Sequence, residues 1–432
     1  METTALSFLL IALLFGFLAT GYWIALTLAL VGVIGILLSS GASPGAVFAT
    51  TVWGSSSSWT LTALPLFIWM GEILFRTRLS GDMFNGLAPW LGNIPGRLLH
   101  VNVVGSGIFA AVSGSSLATA ATIGRISLPE LSKRGYDHMM AVGSLAGSGT
   151  LGLMIPPSII MIVYGVAAEQ SIPKLFVAGV LPGIMLMILF SGYIVVWALL
   201  NPEKTPANDI HMSFVEKLRA TFRLIPIILL IVGVIGSIYS GIATATEAAG
   251  VGVFGSLILA AASRTLNWES FSESLRNAMK TTCMISIILA AASFLGVAMD
   301  YSGIPRALAE WITRMNFSPG MLIACLTLLF IILGCFIDGI SIVVIVSSII
   351  LPAVKAAGID LIWFGIFLVL VVEMSLVTPP VGMNLFLLQG MVNKDLGYVS
   401  RASFPFFLLL VVAVAVIWFW PDLATFLPNR MK

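Results

Sequence analysis

Four acidic residues of this 432-residue chain, Glu72, Glu247, Asp338 and Glu373, stand in apolar surroundings. A carboxylate at membrane depth is costly enough to be a functional hypothesis by default, so these four are the first candidates for ion chemistry. Asp338 falls in the polar cluster CFIDGIS (335–341), where it can ligate a cation or cap an exposed helix N-terminus. Glu72 precedes Arg76 by four residues, the helical spacing of an ion pair. For Glu247 and Glu373, structural hydrogen bonding and ion binding both stay open. A neutral group is equally suggestive: Ser113, Gly114, Ser115 and Ser116 interrupt an apolar run at 98–128. Hard cations prefer oxygen, and carbonyls with hydroxyls can hold a monovalent ion without a carboxylate. The competing reading of SGSSLATAATIG is a small-residue face for close helix packing.

The third group is a pair of prolyl doublets, Pro156-Pro157 in LGLMIPPSI and Pro379-Pro380 in SLVTPPVGM. Proline has no amide hydrogen, so carbonyls one turn earlier lose their helical partner and become available to a cation. Thr378, Gly382 and Asn384 flank the second doublet. Other chemistries are absent from the pattern. His100, His138 and His211 fall in polar connections, and there is no HExxH, GxxxxGK[ST] or GxSxG motif. Without an ATP site, the driving force of any transport must be an ion or solute gradient. A hydrolase built on Ser115 or Ser116 is the alternative from a different class, but no His or Lys is placed to activate a serine.

These residues need elements to hold them, and the composition names the solvent. The chain is 59% hydrophobic and 9% charged with a mean hydropathy of +1.07, an integral membrane protein embedded in a lipid bilayer. A formal net charge of +2 leaves no basic face for nucleic acid. Cys283, Cys325 and Cys335 lack ligand spacing and read as small core residues. No basic residues precede the first apolar stretch, so that stretch reads as a retained helix. Apolar runs at 60–75, 137–168, 174–200, 223–240, 245–262, 283–300, 360–392 and 402–425, with 5–38 as one helix or two broken near Gly21, give nine or ten crossings and an all-α fold.

Two stretches, 98–128 and 321–351, carry their polar residues at the centre. Each half is roughly 15 residues or about 22 Å, short of the roughly 30 Å hydrocarbon core, so both read as re-entrant helical hairpins with polar tips. An internal repeat relates them. LPELSKRGYD (128–137) matches LPAVKAAGID (351–360) at an offset of 223 (351 minus 128), pairing Leu128, Pro129, Gly135 and Asp137 with Leu351, Pro352, Gly358 and Asp360. The same offset superposes the doublets, and Gly81, Trp90 and Pro95-Gly96 find Gly303, Trp311 and Pro319-Gly320 after small gaps. The organisation read from this is a first repeat over 1–200, with hairpin 98–128 and broken helix 137–168. A cytoplasmic connection over 201–222 follows, then a second repeat over 223–432 with hairpin 321–351 and broken helix 360–392. Five crossings separate the matched helices 60–75 and 283–300, an odd number, so the repeats are inverted. With the first hairpin opening on the cytoplasmic side, fifteen of the 21 basic residues fall inside and six (Lys174, Arg306, Arg314, Lys355, Arg430 and Lys432) outside. Inverted repeats with broken helices at membrane depth are the architecture of secondary transporters. Arg125, about nine residues beyond the first tip, reads as an interfacial anchor at the cytoplasmic mouth in preference to a substrate clamp.

Together SGSSLATAATIG, PELSKRGYD, GTLGLMIPPSIIMIVYG, LFVAGVLPGI, ATATEAAG and VTPPVGMNLF resemble the large membrane subunit of TRAP transporters, the tripartite ATP-independent periplasmic family within the ion transporter superfamily, over nearly the whole chain. The resemblance implies a multi-pass permease of the bacterial inner membrane that works by an elevator motion and imports a small organic acid, such as a C4-dicarboxylate or sialic acid. It implies sodium as coupling ion with no other cofactor, a periplasmic substrate-binding protein and a small four-helix membrane subunit; with about 55 residues before the first repeat block, that subunit is expected as a separate chain. Carried over by position, one sodium site falls on Ser113, Gly114, Ser115 and Ser116 with Gly149, Thr150 and the carbonyls near Pro156. The other falls on Asp338, Gly339 and Ser341 with Thr378 and the carbonyls near Pro379. Substrate is expected beside them at Ser116, Pro157, Ser158, Gly382 and Asn384. Arg125 stands where this family is expected to have a small or polar residue. A stand-alone carboxylate transporter of the same superfamily is the nearest alternative.

Overall fold

The computed structural model describes residues 3–77, 86–206, 212–222, 224–304, 307, 310, 318–334, 337–380 and 382–431. Gly81, His211, Arg306, Trp311, Arg314, Cys335 and Lys432, named above, lie outside the described residues, as do Arg78 and Arg223 of the fifteen basic residues assigned to the inside. The described residues contain helices and no strand. In chain order the helices are α1 (Thr3–Ala19), α2 (Ile24–Ser39), α3 (Pro44–Ser56), α4 (Ala63–Phe75), α5 (Leu99–Ser113), α6 (Ser116–Lys133), α7 (His138–Met154), α8 (Ile159–Ala167) and α9 (Ile172–Leu200). They continue with α10 (Phe214–Thr221), α11 (Ile225–Tyr239), α12 (Ala245–Ala262), α13 (Trp268–Ser302), α14 (Pro319–Gly334), α15 (Gly339–Ala356), α16 (Leu361–Leu376), α17 (Met383–Val392) and α18 (Leu396–Phe419).

The opening apolar run is two helices, α1 and α2, parted at Gly21 (φ +81°). Five described helices are long and apolar enough to cross a membrane, or eight if bent pairs such as α7 with α8 (41°) each count as one span. Shorter apolar helices, α1, α2, α5, α14, α16 and α17 among them, make up the rest. Helix α3 was not expected: its Gly, Ser and Thr content hides it in the sequence, and it forms a bent pair with the segment Trp59–Phe75 (56°).

Repeat-related positions terminate and start helices in the same way. Gly135 (φ +77°) and Gly358 (φ +71°) end α6 and α15. Two residues on, the Asp137 and Asp360 carboxylates accept from the Met140 and Trp363 amides at 2.8 Å, satisfying orphan donors in the first turns of α7 and α16. Helix α15 has 18 residues, more than the roughly 15 expected, and by length and hydropathy it could itself span.

Lipid is as apolar as a protein core, so tight helix contacts are set by small residues and polar links instead of by hydrophobicity. A Cβ on Gly143 or Gly147 of α7 would press on the Ala402 carbonyl or the Phe406 ring of α18. Asn102 of α5 donates to the Ala141 carbonyl (3.1 Å) and the Ser144 hydroxyl (2.9 Å) of α7, and Ser106 reaches Ser148. Helix α13 packs on α2 and α4, and α4 on α12, whereas α5 to α8 and α15 to α18 form a second group that meets the first where α15 packs on α13. Helix α9 packs on α5, α7, α8, α16 and α18 and touches α11 only marginally. Its Gly179 and Gly183, where a Cβ would collide with Met161 and Ile155, make that approach possible.

Several sequence readings change. Cys283 and Cys325 are exposed and not core residues, since an apolar side chain facing lipid loses nothing. Glu247 is exposed and closes a capping box with Thr244, each side chain meeting the other's backbone amide at the start of α12, so it is no membrane-depth carboxylate. His100 is not in a connection but buried in the first turn of α5, its ring nitrogen 2.7 Å from the Pro95 carbonyl. Glu72 does pair with Arg76 (3.7 Å), which also meets Glu273 of α13 and so ties α4 to α13.

Candidate functional site

At the first tip α5 stops at Ser113 because Gly114 turns left-handed (φ +59°). A Cβ there would lie 2.8 Å from the Pro157 carbonyl, so both the conformation and the contact require glycine. Ser115 then caps α6, its hydroxyl accepting from the Ala118 amide (3.4 Å), while the Ser113 and Thr119 hydroxyls meet at 2.7 Å. The tip sits on the break between α7 and α8. The Ile159 amide donates to the Gly114 carbonyl at 3.3 Å, and a Cβ on Gly152 would come within 2.4 Å of the Ser115 carbonyl oxygen. Pro156 and Pro157, joined by a cis bond, cannot donate to the carbonyls of Gly152 and Leu153. Ser158, fully buried, restarts the helix by capping α8.

The second tip repeats the design with a charge. Asp338, 223 residues after Ser115 (338 minus 115), caps α15 by accepting from both the amide and the hydroxyl of Ser341. A Cβ on Gly339 would meet Val372 of α16 at 2.5 Å and Ile160 of α8 at 3.1 Å, so this tip touches both broken helices. Across the second break, the cis Pro379-Pro380 pair leaves the Leu376 carbonyl without its helical donor, and the Leu376 and Thr378 carbonyls both converge on Gly382. The Thr378 hydroxyl donates to the Met374 carbonyl at 2.6 Å.

The two repeats meet here. Asn384 of α17 is fully buried and donates to the Ser116 hydroxyl at 2.7 Å, and its carbonyl oxygen has no partner. A cavity of about 110 Å³ lies between the tips, bounded by Ser115, Ser116, Asp338 and Gly339 with apolar walls from Leu153, Ile160 and Leu376. That is below the roughly 300–1,000 Å³ of sites for larger ligands, so in this conformation the space suits ions, water or a very small solute.

Of the sequence-derived residues, Gly114, Ser115, Ser116, Asp338 and Gly339 line this cavity, Pro157 meets the first tip at Gly114, and Thr378 lies against Gly382 across the second break. Gly149 contributes close packing, its Cβ position 2.7 Å from Ala120. Arg125 is outside this group, exposed beside a separate cleft with Ser132 and His138. Two site residues were missed: Thr119, which holds Ser113, and Gly152, which admits the Ser115 carbonyl; Glu373, whose role the sequence left open, is the contact partner of Thr150. The repeat offset of 223 already pairs Thr150 with Glu373 in the sequence (373 minus 150).

The chain matches the family model described as "Tripartite ATP-independent periplasmic transporter, DctM component" over residues 11–423. It is 33% identical over 404 residues to the C4-dicarboxylate TRAP transporter large permease protein DctM of Pseudomonas aeruginosa, covering 93% of this chain and 94% of that protein. It is 30% identical over 414 residues to the isethionate TRAP transporter permease protein DctMQ of Oleidesulfovibrio alaskensis, covering 95% of this chain and 64% of that protein. The crystal structure of the Alcanivorax borkumensis YdaH transporter superposes with a TM-score of 0.66 at 12% identity, covering 93% of this chain and 96% of that one, a likeness of fold alone.

Proposed function

The chain belongs to the DctM component family of tripartite ATP-independent periplasmic transporters, a permease family and not an enzyme family, and on that premise we propose that it carries a small organic acid inward, coupled to sodium. One observation carries this reading: two oxygen-rich helix tips, each seated on a proline-broken helix, flank a single cavity at the meeting of the repeats. In this reading the first tip binds sodium through Ser113 to Ser116, Thr150 and the Gly152 and Leu153 carbonyls. The second binds it through Asp338, Ser341, Thr378 and the Leu376 carbonyl. Gly149 and Gly339 allow the close approach.

The substrate, a carboxylate of the C4-dicarboxylate or sialic acid kind, is assigned to the space beside both sites, against Ser116, Pro157, Ser158, Gly382 and Asn384. Sodium held at the tips supplies positive charge for an anion that no Arg or Lys among the described residues of the cavity wall provides. The inverted repeats provide two related states, one open to each side, with the hairpin group as the moving body of an elevator. The basic-residue asymmetry supports an inner-membrane orientation with α10 and its connection in the cytoplasm.

Two further parts complete the reading: a separate four-helix membrane subunit and a periplasmic binding protein that delivers the solute. The connection around α10 is short and sits on the side assigned to the cytoplasm, so the described chain offers no external domain able to enclose a solute. In liposomes holding this chain and its small subunit, uptake should stay near background until the cognate binding protein is added outside. High-affinity uptake without it would contradict the tripartite part of the reading and favour a stand-alone transporter.

A further inference from the structure

Glu373 lies near the end of α16 and is fully buried, with 0% exposure. Neither of its carboxylate oxygens has a hydrogen-bond partner in good geometry. The groups beside it are the Thr150 hydroxyl and the Met154 main chain of α7, and that hydroxyl already donates to the Gly147 carbonyl at 2.7 Å. Among the described residues, none of the ion pairs includes Glu373. An ionised carboxylate in such a place is expensive unless a positive charge joins it, and no side chain among the described residues pairs with it.

Position explains which charge is missing. Thr150 and Glu373 differ by 223 (373 minus 150), the offset that relates Asp137 to Asp360 and Pro156 to Pro379, so the two are repeat counterparts that touch each other. A residue in contact with its own counterpart sits where the axis relating the repeats passes, and for inverted repeats that axis lies in the membrane plane. Glu373 is thus at the midplane, against the last turn of α7, where Pro156 and Pro157 free the Gly152 and Leu153 carbonyls. The contrast between the tips completes the argument: the second tip has Asp338, whereas the first has only hydroxyls and carbonyls.

We propose that Glu373, although it belongs to the second repeat, is the carboxylate of the first repeat's cation site, binding a monovalent cation together with the Thr150 oxygen and the carbonyls freed at the first break. This rests on the sodium-coupled reading above and deepens it, because it makes the first ion site a composite of both repeats.

The test is binding of radioactive sodium to the purified full-length permease with its small subunit, for wild type, Glu373→Gln and Thr150→Val. Gln keeps the volume of Glu and removes the charge. It should weaken binding at one of two classes of site at least tenfold, leaving about half of the saturable sodium, and Thr150→Val should weaken the same class by a few fold. Wild type that binds sodium alongside a monodisperse Glu373→Gln protein with unchanged affinity and amount would overturn the proposal; a permanently protonated Glu373 would give that result. Should the Gln variant not fold, unchanged binding by Thr150→Val overturns it equally. Wild type that binds no sodium would instead sink the underlying sodium reading, an outcome distinct from the others.

Discussion

Asp338→Asn should raise the sodium concentration needed for half-maximal uptake by roughly ten to a hundredfold while leaving the permease folded. The variant is chosen to separate two jobs of one side chain. Asp338 caps α15 through Ser341, and Asn is as good a cap as Asp, so the helix start survives. What Asn removes is the negative charge. A charge-assisted contact contributes about 1.5–3 kcal/mol, which corresponds to that factor in affinity. Asp338→Ala should add a folding defect of about 0.5–2 kcal/mol from the lost cap. Sodium activation curves in proteoliposomes, with melting temperatures of the same preparations, distinguish the outcomes. An unchanged curve for Asp338→Asn would reduce Asp338 to a cap.

Gly152→Ala should cut uptake by at least tenfold although it adds one methyl group. That methyl would lie 2.4 Å from the Ser115 carbonyl oxygen and 2.6 Å from its carbon. Both are main-chain atoms of the tip, so no side-chain rotation relieves the clash and the tip must lift off the break. A displacement of about 1 Å in a bound geometry can cost on the order of a hundredfold in rate. Gly250→Ala in α12 is the matched control, because its Cβ would meet nothing within 4 Å; there a small gain in helix propensity is the only effect. Equal uptake by the two variants would show that the seating of the first tip on the first break is immaterial.

The parts of this site legible in the sequence are those written in single residue types with strong backbone consequences. Proline doublets, the glycines ending helices at 135 and 358, and the aspartates starting them at 137 and 360 each act within a few residues. Their recurrence at one offset gave the repeat, and the serine and aspartate tips fell between helices as their polarity required. Less legible was anything decided by which face of a helix meets a neighbour. Cys283 and Cys325 face outward because lipid does not sort apolar residues inward. Helix α9 joined the hairpin group through Gly179 and Gly183, which composition alone does not distinguish from lipid-facing glycines such as Gly192. Glu247 differs: the capping box Thr244-x-x-Glu247 is legible in the sequence, and only its apolar flanks suggest membrane depth. Glu373 could be flagged as unusual from sequence, yet its lack of a partner is a property of packing.

The central claim is that sodium, held at the paired tips, drives uptake. The most direct measurement reconstitutes the permease with its small subunit in liposomes, adds substrate-loaded binding protein outside, and compares an inward sodium gradient, equal sodium on both sides, and an inward proton gradient in sodium-free buffer. Solute should accumulate above its external concentration under the sodium gradient alone, should only equilibrate without it, and should stay at background under the proton gradient. Accumulation driven equally well by protons without sodium would contradict the account, because the oxygen-lined tips would then not be the place where the driving ion acts.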